Sequence, residues 1–241
     1  MEADLYMVPK ANLDEAIVTG LNVALIGEAG AGKEWSARRL HLQRKSNEFH
    51  RYDFQNGVPE LWSLVAGFIS DLNFWLGGFP RRTDTRFFRN IHGLNYKQAN
   101  FIIDYLHALL IKKQITSSEL LGGGLVCSCE PKAAETSPWK ELIIQFFPVE
   151  IHIPPLRERK EEIPRLVSEI LREYQISAKK SVVGIQSEAV EILSVHDWPG
   201  NISELKSVLG QACALTRDRE LISRDVIAKR IMFSKNGSPV K

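Results

Sequence analysis

Short apolar runs alternate with amphipathic stretches over the first 155 residues of the chain. The runs predict five strands, at residues 22–26, 49–54, 86–91, 125–129 and 148–153. Helices are predicted before the first strand, at 11–19, and between the strands, at 33–43, 59–72, 97–112 and 138–147. Strands that alternate with helices favour a parallel sheet covered on both faces.

The pattern changes after Pro155. Helix-forming residues then dominate, and no further strand is predicted. Four helices are expected, at residues 163–174, 187–195, 201–215 and 223–230. We therefore predict an α/β subdomain over residues 1–155 and a smaller helical subdomain over 156–232. The polar stretch 233–241 is expected to be a linker or tail.

A glycine-rich loop carries the strongest chemical signal. It follows the first predicted strand and precedes a predicted helix, which is the context that a phosphate-binding loop requires. Glycines allow backbone N–H groups to point at phosphate oxygens, and the helix N-terminus adds a positive dipole. The alternative is a glycine-rich turn that binds nothing. The candidate nucleotide-binding residues are Gly27, Glu28, Ala29, Gly30, Ala31, Gly32, Lys33 and Glu34.

Composition excludes several classes of protein. The 241 residues carry a net charge of only +2, which gives no support to nucleic-acid binding by this segment. No apolar run approaches the ~20 residues of a membrane helix, and the N-terminus does not read as a secretory signal. The three cysteines lack metal-ligand spacing, so we predict buried thiols in a reducing cytoplasm and no metal site.

Three blocks of sequence resemble one family. The loop with residues 37–41 (ARRLH), the block 154–164 (PPLRERKEEIP) and the block 197–205 (DWPGNISEL) resemble the AAA+ domain of NtrC-like activators of sigma-54 polymerase. The resemblance implies an AAA+ P-loop α/β sandwich with a helical lid. ATP or another nucleoside triphosphate is the implied ligand, with Mg²⁺ left open.

The family also suggests partners. In such proteins a receiver domain usually precedes this module and a helix-turn-helix domain follows it. Neither pattern is recognised here, so the chain is expected to be a central domain. The implied partners of the full-length protein are RNA polymerase, DNA through the C-terminal domain, and further copies of the chain.

The chain departs from the family where the family performs hydrolysis. Arg89 and Asn90 replace the Asp-Glu pair that holds magnesium and activates water. The sensor is Ser128-Cys129-Glu130 in place of Ala-Thr-Asn. The positions of the trans-acting arginines fall near Trp139 and Gln145, and Ser203 replaces the lid arginine. The GAFTGA loop that grips sigma-54 has no counterpart.

These departures predict a regulatory domain that binds a nucleotide, hydrolyses it weakly or not at all, and does not remodel sigma-54 polymerase. One alternative is an active ATPase in which Asp84, Glu130 or Asp104 supplies the carboxylate.

The other alternative is a cyclic di-GMP-responsive domain that controls biofilm or motility genes. Some divergent relatives, including flagellar regulators of pseudomonads and a biofilm regulator of Vibrio, respond to that ligand. Arginine suits it because guanidinium pairs with phosphate and stacks on guanine. The candidate cyclic di-GMP residues are Arg38, Arg39, Glu169 and Arg172.

Overall fold

The computed structural model describes residues 10–46, 48–54, 84–113, 124–177 and 184–236. The helix predicted at 59–72 lies outside these residues. The described chain divides into two compact units. The sheet unit contains the described residues up to Gly27 and those of Gly32–Ile153. The helical unit contains Glu28–Ala31 and the described residues from Pro154 onward.

The sheet unit is built on five parallel strands, in the order β2-β3-β4-β1-β5. Their bounds are β1 Val23–Ile26, β2 Phe49–Asp53, β3 Thr85–Arg89, β4 Leu125–Cys129 and β5 Val149–His152. The central strand β4 and its neighbour β1 are buried along their whole length, as a continuous apolar run favours. The prediction of a parallel α/β sheet is confirmed.

Among the described residues, helices lie between β1 and β2, between β3 and β4 and between β4 and β5. The helices described in this unit are α1 Lys10–Thr19, α2 Lys33–Gln43, α3 Tyr96–Lys113, α4 Pro131–Ala134 and α5 Trp139–Phe146. The apolar side of α3 reaches the core through Ala99, Ile102 and Ile103, which pack with Phe88 and Leu142. A parallel sheet needs such crossovers because the chain must return from the carboxyl end of one strand to the amino end of the next.

Asn22 joins three parts of the sheet unit. Its side chain is fully buried next to the start of β1. The amide nitrogen donates a hydrogen bond to the carbonyl of Phe146 (3.0 Å), and the amide oxygen accepts one from the N–H of Leu125 (3.2 Å). A buried polar side chain is tolerated there because its hydrogen-bonding groups are satisfied.

The helical unit consists mainly of four helices among its described residues: α6 Ile163–Ser177, α7 Ser187–Val195, α8 Asn201–Leu215 and α9 Arg224–Asn236. Trp198 is fully buried between α7 and α8, and its indole N–H donates to the carbonyl of Leu193 (2.8 Å). The predicted bounds of α7 and α8 agree with the structure.

Two predictions for this region were wrong. Strands do occur after Pro155: β6 Gly184–Ile185 and β7 Leu221–Ile222 form a two-residue parallel pair. The helix predicted at 223–230 is longer than expected, because α9 spans Arg224–Asn236. Within the described residues, none of the helices combines the length and apolar character needed to cross a membrane.

We predict that Asn22→Ala lowers the free energy of unfolding by about 2–4 kcal/mol, because it leaves a buried carbonyl and a buried N–H without partners. Urea unfolding followed by circular dichroism measures the loss. Gln211→Ala, which shortens an exposed side chain on α8, is the control and should change stability by less than about 0.5 kcal/mol. Equal losses in the two variants would contradict the role given to Asn22.

Candidate functional site

The glycine-rich loop lies between the end of β1 at Ile26 and the start of α2 at Lys33. Its first residue, Gly27, donates its N–H to the carbonyl of Cys129 (3.2 Å). A Cβ on Gly27 would stand 2.9 Å from the carbonyl oxygen of Ile153, so glycine is needed for this close approach. The sequence placed the loop correctly between a strand and a helix.

Lys33 begins α2 and is largely buried. Its ammonium donates a hydrogen bond to the carbonyl of Gly27 (2.5 Å), so the side chain folds back along the loop. Gly32 precedes it with φ +106°, a conformation that favours glycine. The first turn of α2 therefore presents a cation and a helix N-terminus, a combination that attracts anions.

The middle of the loop belongs to the helical unit, and three carbonyls hold it there. The Asn201 amide donates to the Ala29 carbonyl (3.0 Å), and the Ile202 N–H donates to the Gly30 carbonyl (3.0 Å). The buried Arg159 guanidinium donates to the Ala31 carbonyl (2.5 Å). The sequence identified the loop but not these partners.

Glu28 adds ion pairing to this arrangement. Its two carboxylate oxygens accept a bidentate pair of hydrogen bonds from Arg157 (2.6 and 2.8 Å), and one of them also accepts from the Asn201 amide (3.1 Å). Asn201 is fully buried, and its amide oxygen accepts from the N–H of Leu156 (2.7 Å). Within the helical unit, residues Glu28–Ala31 of the loop thus contact the other two sequence blocks that suggested a family.

Gly30 leaves no room for a side chain. Its φ is +73°, and a Cβ there would stand 2.4 Å from the carbonyl oxygen of Gly200 and 3.0 Å from the side chain of Ser203. Ser203, which replaces the family's lid arginine, therefore lies directly beside the loop and brings no positive charge.

A cluster of alternating charges stands at the carboxyl ends of β2 and β3 in the sheet unit. Arg89 ends β3, and its Nη1 donates to the Asp53 carboxylate at the end of β2 (2.6 Å). Its Nε also lies 3.9 Å from the carboxylate of Glu34 on α2. Arg51 donates to both carboxylates, at 3.1 Å for Glu34 and 3.2 Å for Asp53. We call Glu34, Arg38, Arg51, Asp53 and Arg89 the strand-end cluster.

Asn90 follows Arg89 and is held just as firmly. It has φ +58°, its backbone N–H donates to the hydroxyl of Ser128 (2.9 Å), and its amide donates to Asp53 (3.2 Å). Asparagine tolerates this left-handed conformation better than most residues. The sequence marks Arg89 and Asn90 as departures from the family, but no motif marks Asp53, which accepts from both, or Arg51, which joins Asp53 to Glu34.

Glu130 lies just beyond β4, with an oxygen 3.7 Å from Nε2 of His92. Burial lowers the pKa of His92, opposed by Glu130 and assisted by Lys33, which favours the neutral imidazole. Burial also raises the pKa of Cys129 to about 12, so its thiol stays protonated. The three cysteines are free and buried, as predicted.

The other carboxylates considered as catalytic substitutes are poorly placed within the sheet unit. Asp84 precedes β3, at the amino edge of the strand, whereas the loop follows the carboxyl end of the parallel strand β1. Its carboxylate lies 3.9 Å from His50. Asp104 is exposed in the middle of α3. Glu130 alone among the three stands at a carboxyl end.

The candidate cyclic di-GMP residues fall on different units. Arg38 pairs with Glu34 (3.2 Å) and its guanidinium lies 4.8 Å from the centre of the Phe49 ring. The guanidinium of Arg39 lies 5.6 Å from the centre of the Trp35 ring.

In the helical unit, Glu169 pairs with Arg165 (3.5 Å), and burial raises the pKa of its carboxyl group. Arg172 is exposed.

Comparison with known proteins identifies the fold. NtrX from Brucella abortus, solved in complex with ATP, superposes with a TM-score of 0.70 at 21% identity, over 96% of this chain and 56% of that chain. The Holliday junction branch migration motor RuvB from Thermotoga maritima gives 0.56 at 19% identity, over 92% and 66%. The fold is that of an AAA+ domain.

Comparison of sequences indicates which kind of AAA+ domain the chain is. The profile of the AAA+ ATPase lid domain matches residues 157–240. The phenol regulator MopR of Acinetobacter guillouiae is 39% identical over 236 residues, and the transcriptional regulatory protein XylR of Pseudomonas putida is 29% identical over 234 residues. Each match covers 88% of this chain and 40% of the relative. These matches identify the chain as an NtrC-like AAA+ domain, and it spans about two fifths of the length of these regulatory relatives.

We predict that Gly30→Ala destabilises the protein more than Gly20→Ala does. Both glycines have positive φ, which costs a residue with a Cβ roughly 1 kcal/mol. A Cβ at Gly20 meets nothing within 4 Å, whereas one at Gly30 meets the Gly200 carbonyl. Differential scanning calorimetry should show the larger drop in Tm for Gly30→Ala. The same drop in Tm in both variants would mean that the nearby Gly200 carbonyl adds nothing to the cost of a side chain at position 30.

Proposed function

We propose that this chain is the nucleotide-binding regulatory domain of a bacterial transcription regulator, and that it hydrolyses the nucleotide weakly or not at all. The observation that carries this proposal is the Arg89–Asp53 ion pair at the end of β3. The family places its magnesium-binding and water-activating carboxylates at Arg89 and Asn90, and the chain places a cation and a neutral amide there.

Nucleotide binding is supported by the loop. Positive φ at Gly30 and Gly32, the N-terminus of α2 and the Lys33 ammonium combine the features that cradle phosphate groups. NtrX, whose fold this chain shares, was solved with ATP and with ADP. ATP or another nucleoside triphosphate is therefore the ligand we propose for residues Gly27–Glu34.

Weak hydrolysis is supported by the chemistry of the replaced residues. The Asn90 amide cannot accept a proton from water, and the guanidinium of Arg89 carries only hydrogen-bond donors, so it can neither ligate magnesium nor act as the base. Gln145, near a trans-acting arginine position, instead contacts His107 (2.7 Å). Loss of arginine fingers alone reduces phosphoryl-transfer rates by about 10³–10⁵.

A transcriptional role is supported by the names of the relatives, which include XylR and the Nif-specific regulatory protein of Rhizobium etli. RNA polymerase, and DNA through a further domain, are the partners we propose for the whole protein. Without a GAFTGA sequence, the chain would act on polymerase by a route other than sigma-54 remodelling.

We predict that Lys33→Ala weakens binding of ATP by about tenfold or more, because it removes a cation that pairs with phosphate. Fluorescence titration with a labelled ATP analogue measures the change. Lys97→Ala, which removes an exposed lysine near the start of α3, is the matched control and should bind like the wild type.

Phosphate release should be equally slow for the wild type and for Lys33→Ala. A robust release of phosphate that disappears in Lys33→Ala would overturn the proposal and favour an active ATPase. Glu130, the one substitute carboxylate at a carboxyl end of the sheet, would then be the first residue to test.

Cyclic di-GMP is the second candidate ligand. It is favoured by the Arg39–Trp35 contact, which pairs a cation with an aromatic ring, and by the exposure of Arg38, whose side chain is 55% exposed. We predict that calorimetry detects binding of cyclic di-GMP to the wild type and not to the double variant Arg38→Ala/Arg39→Ala. No heat with the wild type would end this alternative.

A further inference from the structure

The carboxylates of the strand-end cluster are already occupied by arginine. One oxygen of Asp53 accepts from Arg89 and Arg51, and the other accepts from the Asn90 amide. One oxygen of Glu34 accepts from Arg38 and Arg51, while the other faces Nε of Arg89 at 3.9 Å. Neither side chain has an oxygen without a positively polarised neighbour.

The charge of the cluster is positive. Three guanidinium groups surround two carboxylates, and guanidinium does not lose its proton in proteins. Lys33 adds a further cation one residue before Glu34. This balance repels a divalent cation and attracts an anion.

Magnesium, which the fold family implies, does not fit these residues. Mg²⁺ is held in nucleotide sites by one or two carboxylates together with phosphate oxygens. Here the family's carboxylate position is Arg89, and Glu34 and Asp53 are engaged by arginine. Within the described part of the chain, no group of three or more His, Cys, Asp or Glu side chains could hold a metal ion.

Arg89 stands where its positive charge can offset phosphate charge in place of a metal ion. It ends the strand at which the family's magnesium carboxylate stands, and its side chain is 34% exposed, so it can reach a ligand. Its contact with Glu34 ties it to the first turn of α2, next to the lysine of the loop. Arg–phosphate contacts are charge-assisted and can be bidentate.

We propose that this domain binds its nucleoside triphosphate without a divalent cation, and that the Arg89 guanidinium supplies the countercharge to the outer phosphates. This inference rests on the proposed nucleotide binding at the loop and specifies the chemical form of the ligand as the metal-free triphosphate. The Asp53 and Glu34 carboxylates then act as positioning residues, because they hold the guanidinium at the strand end until phosphate competes for it.

The test compares ATP binding to the wild-type chain in excess Mg²⁺ and in excess EDTA by isothermal titration calorimetry. We expect Kd values that agree within about threefold, because the countercharge comes from the protein. Binding that is at least about tenfold weaker in EDTA would overturn the inference while leaving the proposed nucleotide binding intact. Failure to bind in both conditions would remove the proposed nucleotide binding, and the inference with it.

Two variants test the residue itself. Arg89→Gln, which keeps hydrogen-bond donors but removes the charge, should weaken ATP binding in EDTA by about tenfold or more, and Arg89→Lys should recover part of the loss. Arg217→Gln, an exposed arginine of the helical unit, is the charge-matched control and should bind like the wild type. Unchanged binding by a folded Arg89→Gln would overturn the role of Arg89. If that variant does not fold, the wild-type comparison still decides the inference.

Discussion

The Arg89–Asp53 ion pair determines how charge is arranged at the carboxyl ends of β2 and β3. A guanidinium at the last residue of β3 is a permanent positive charge, and it would be costly to place there without a partner. Asp53, one strand away at the same register position, supplies that partner. Arg51 then bridges Asp53 to Glu34 on α2. The positive charge of Arg89, which stands where the family has a carboxylate, is thus compensated by neighbouring carboxylates, and the fold accommodates it.

The fold was largely predictable because it follows from the period of the apolar residues. The bounds of α2, β4, α7 and α8 agreed with the structure; β4 is a continuous apolar run, and α8 has its buried apolar residues at helical spacing. The pair β6–β7 was missed because two residues are too few to show a period. The end of α9 was missed because its last turn is polar, and polar residues can continue a helix whose earlier turns are packed.

The candidate site was predictable only where its residues are adjacent in sequence. The spacing of glycines and a lysine located the loop, and alignment located Arg89. Asp53 and Arg51 carry no motif; their role depends on β2 lying next to β3, which only the strand order reveals. In the same way, nothing in the sequence indicates that Asn201 reaches back over 172 positions to the Ala29 carbonyl.

The two residues that differ from the family at the end of β3, Arg89 and Asn90, have different consequences for the site. Arg89 stands where the family has its magnesium-binding carboxylate, whereas Asn90 stands where the family has its base, and the Asp53 carboxylate accepts a hydrogen bond from each. Arg89 is held by carboxylates, which a competing phosphate can replace. Asn90 is held through its backbone by buried Ser128 and through its amide by Asp53. A carboxylate at position 89 alone would therefore stand beside Asp53 and Glu34 with no base next to it. The proposed nucleotide binding and the loss of the base thus depend on neighbouring residues that share Asp53 but have separate further partners, Glu34 for Arg89 and Ser128 for Asn90.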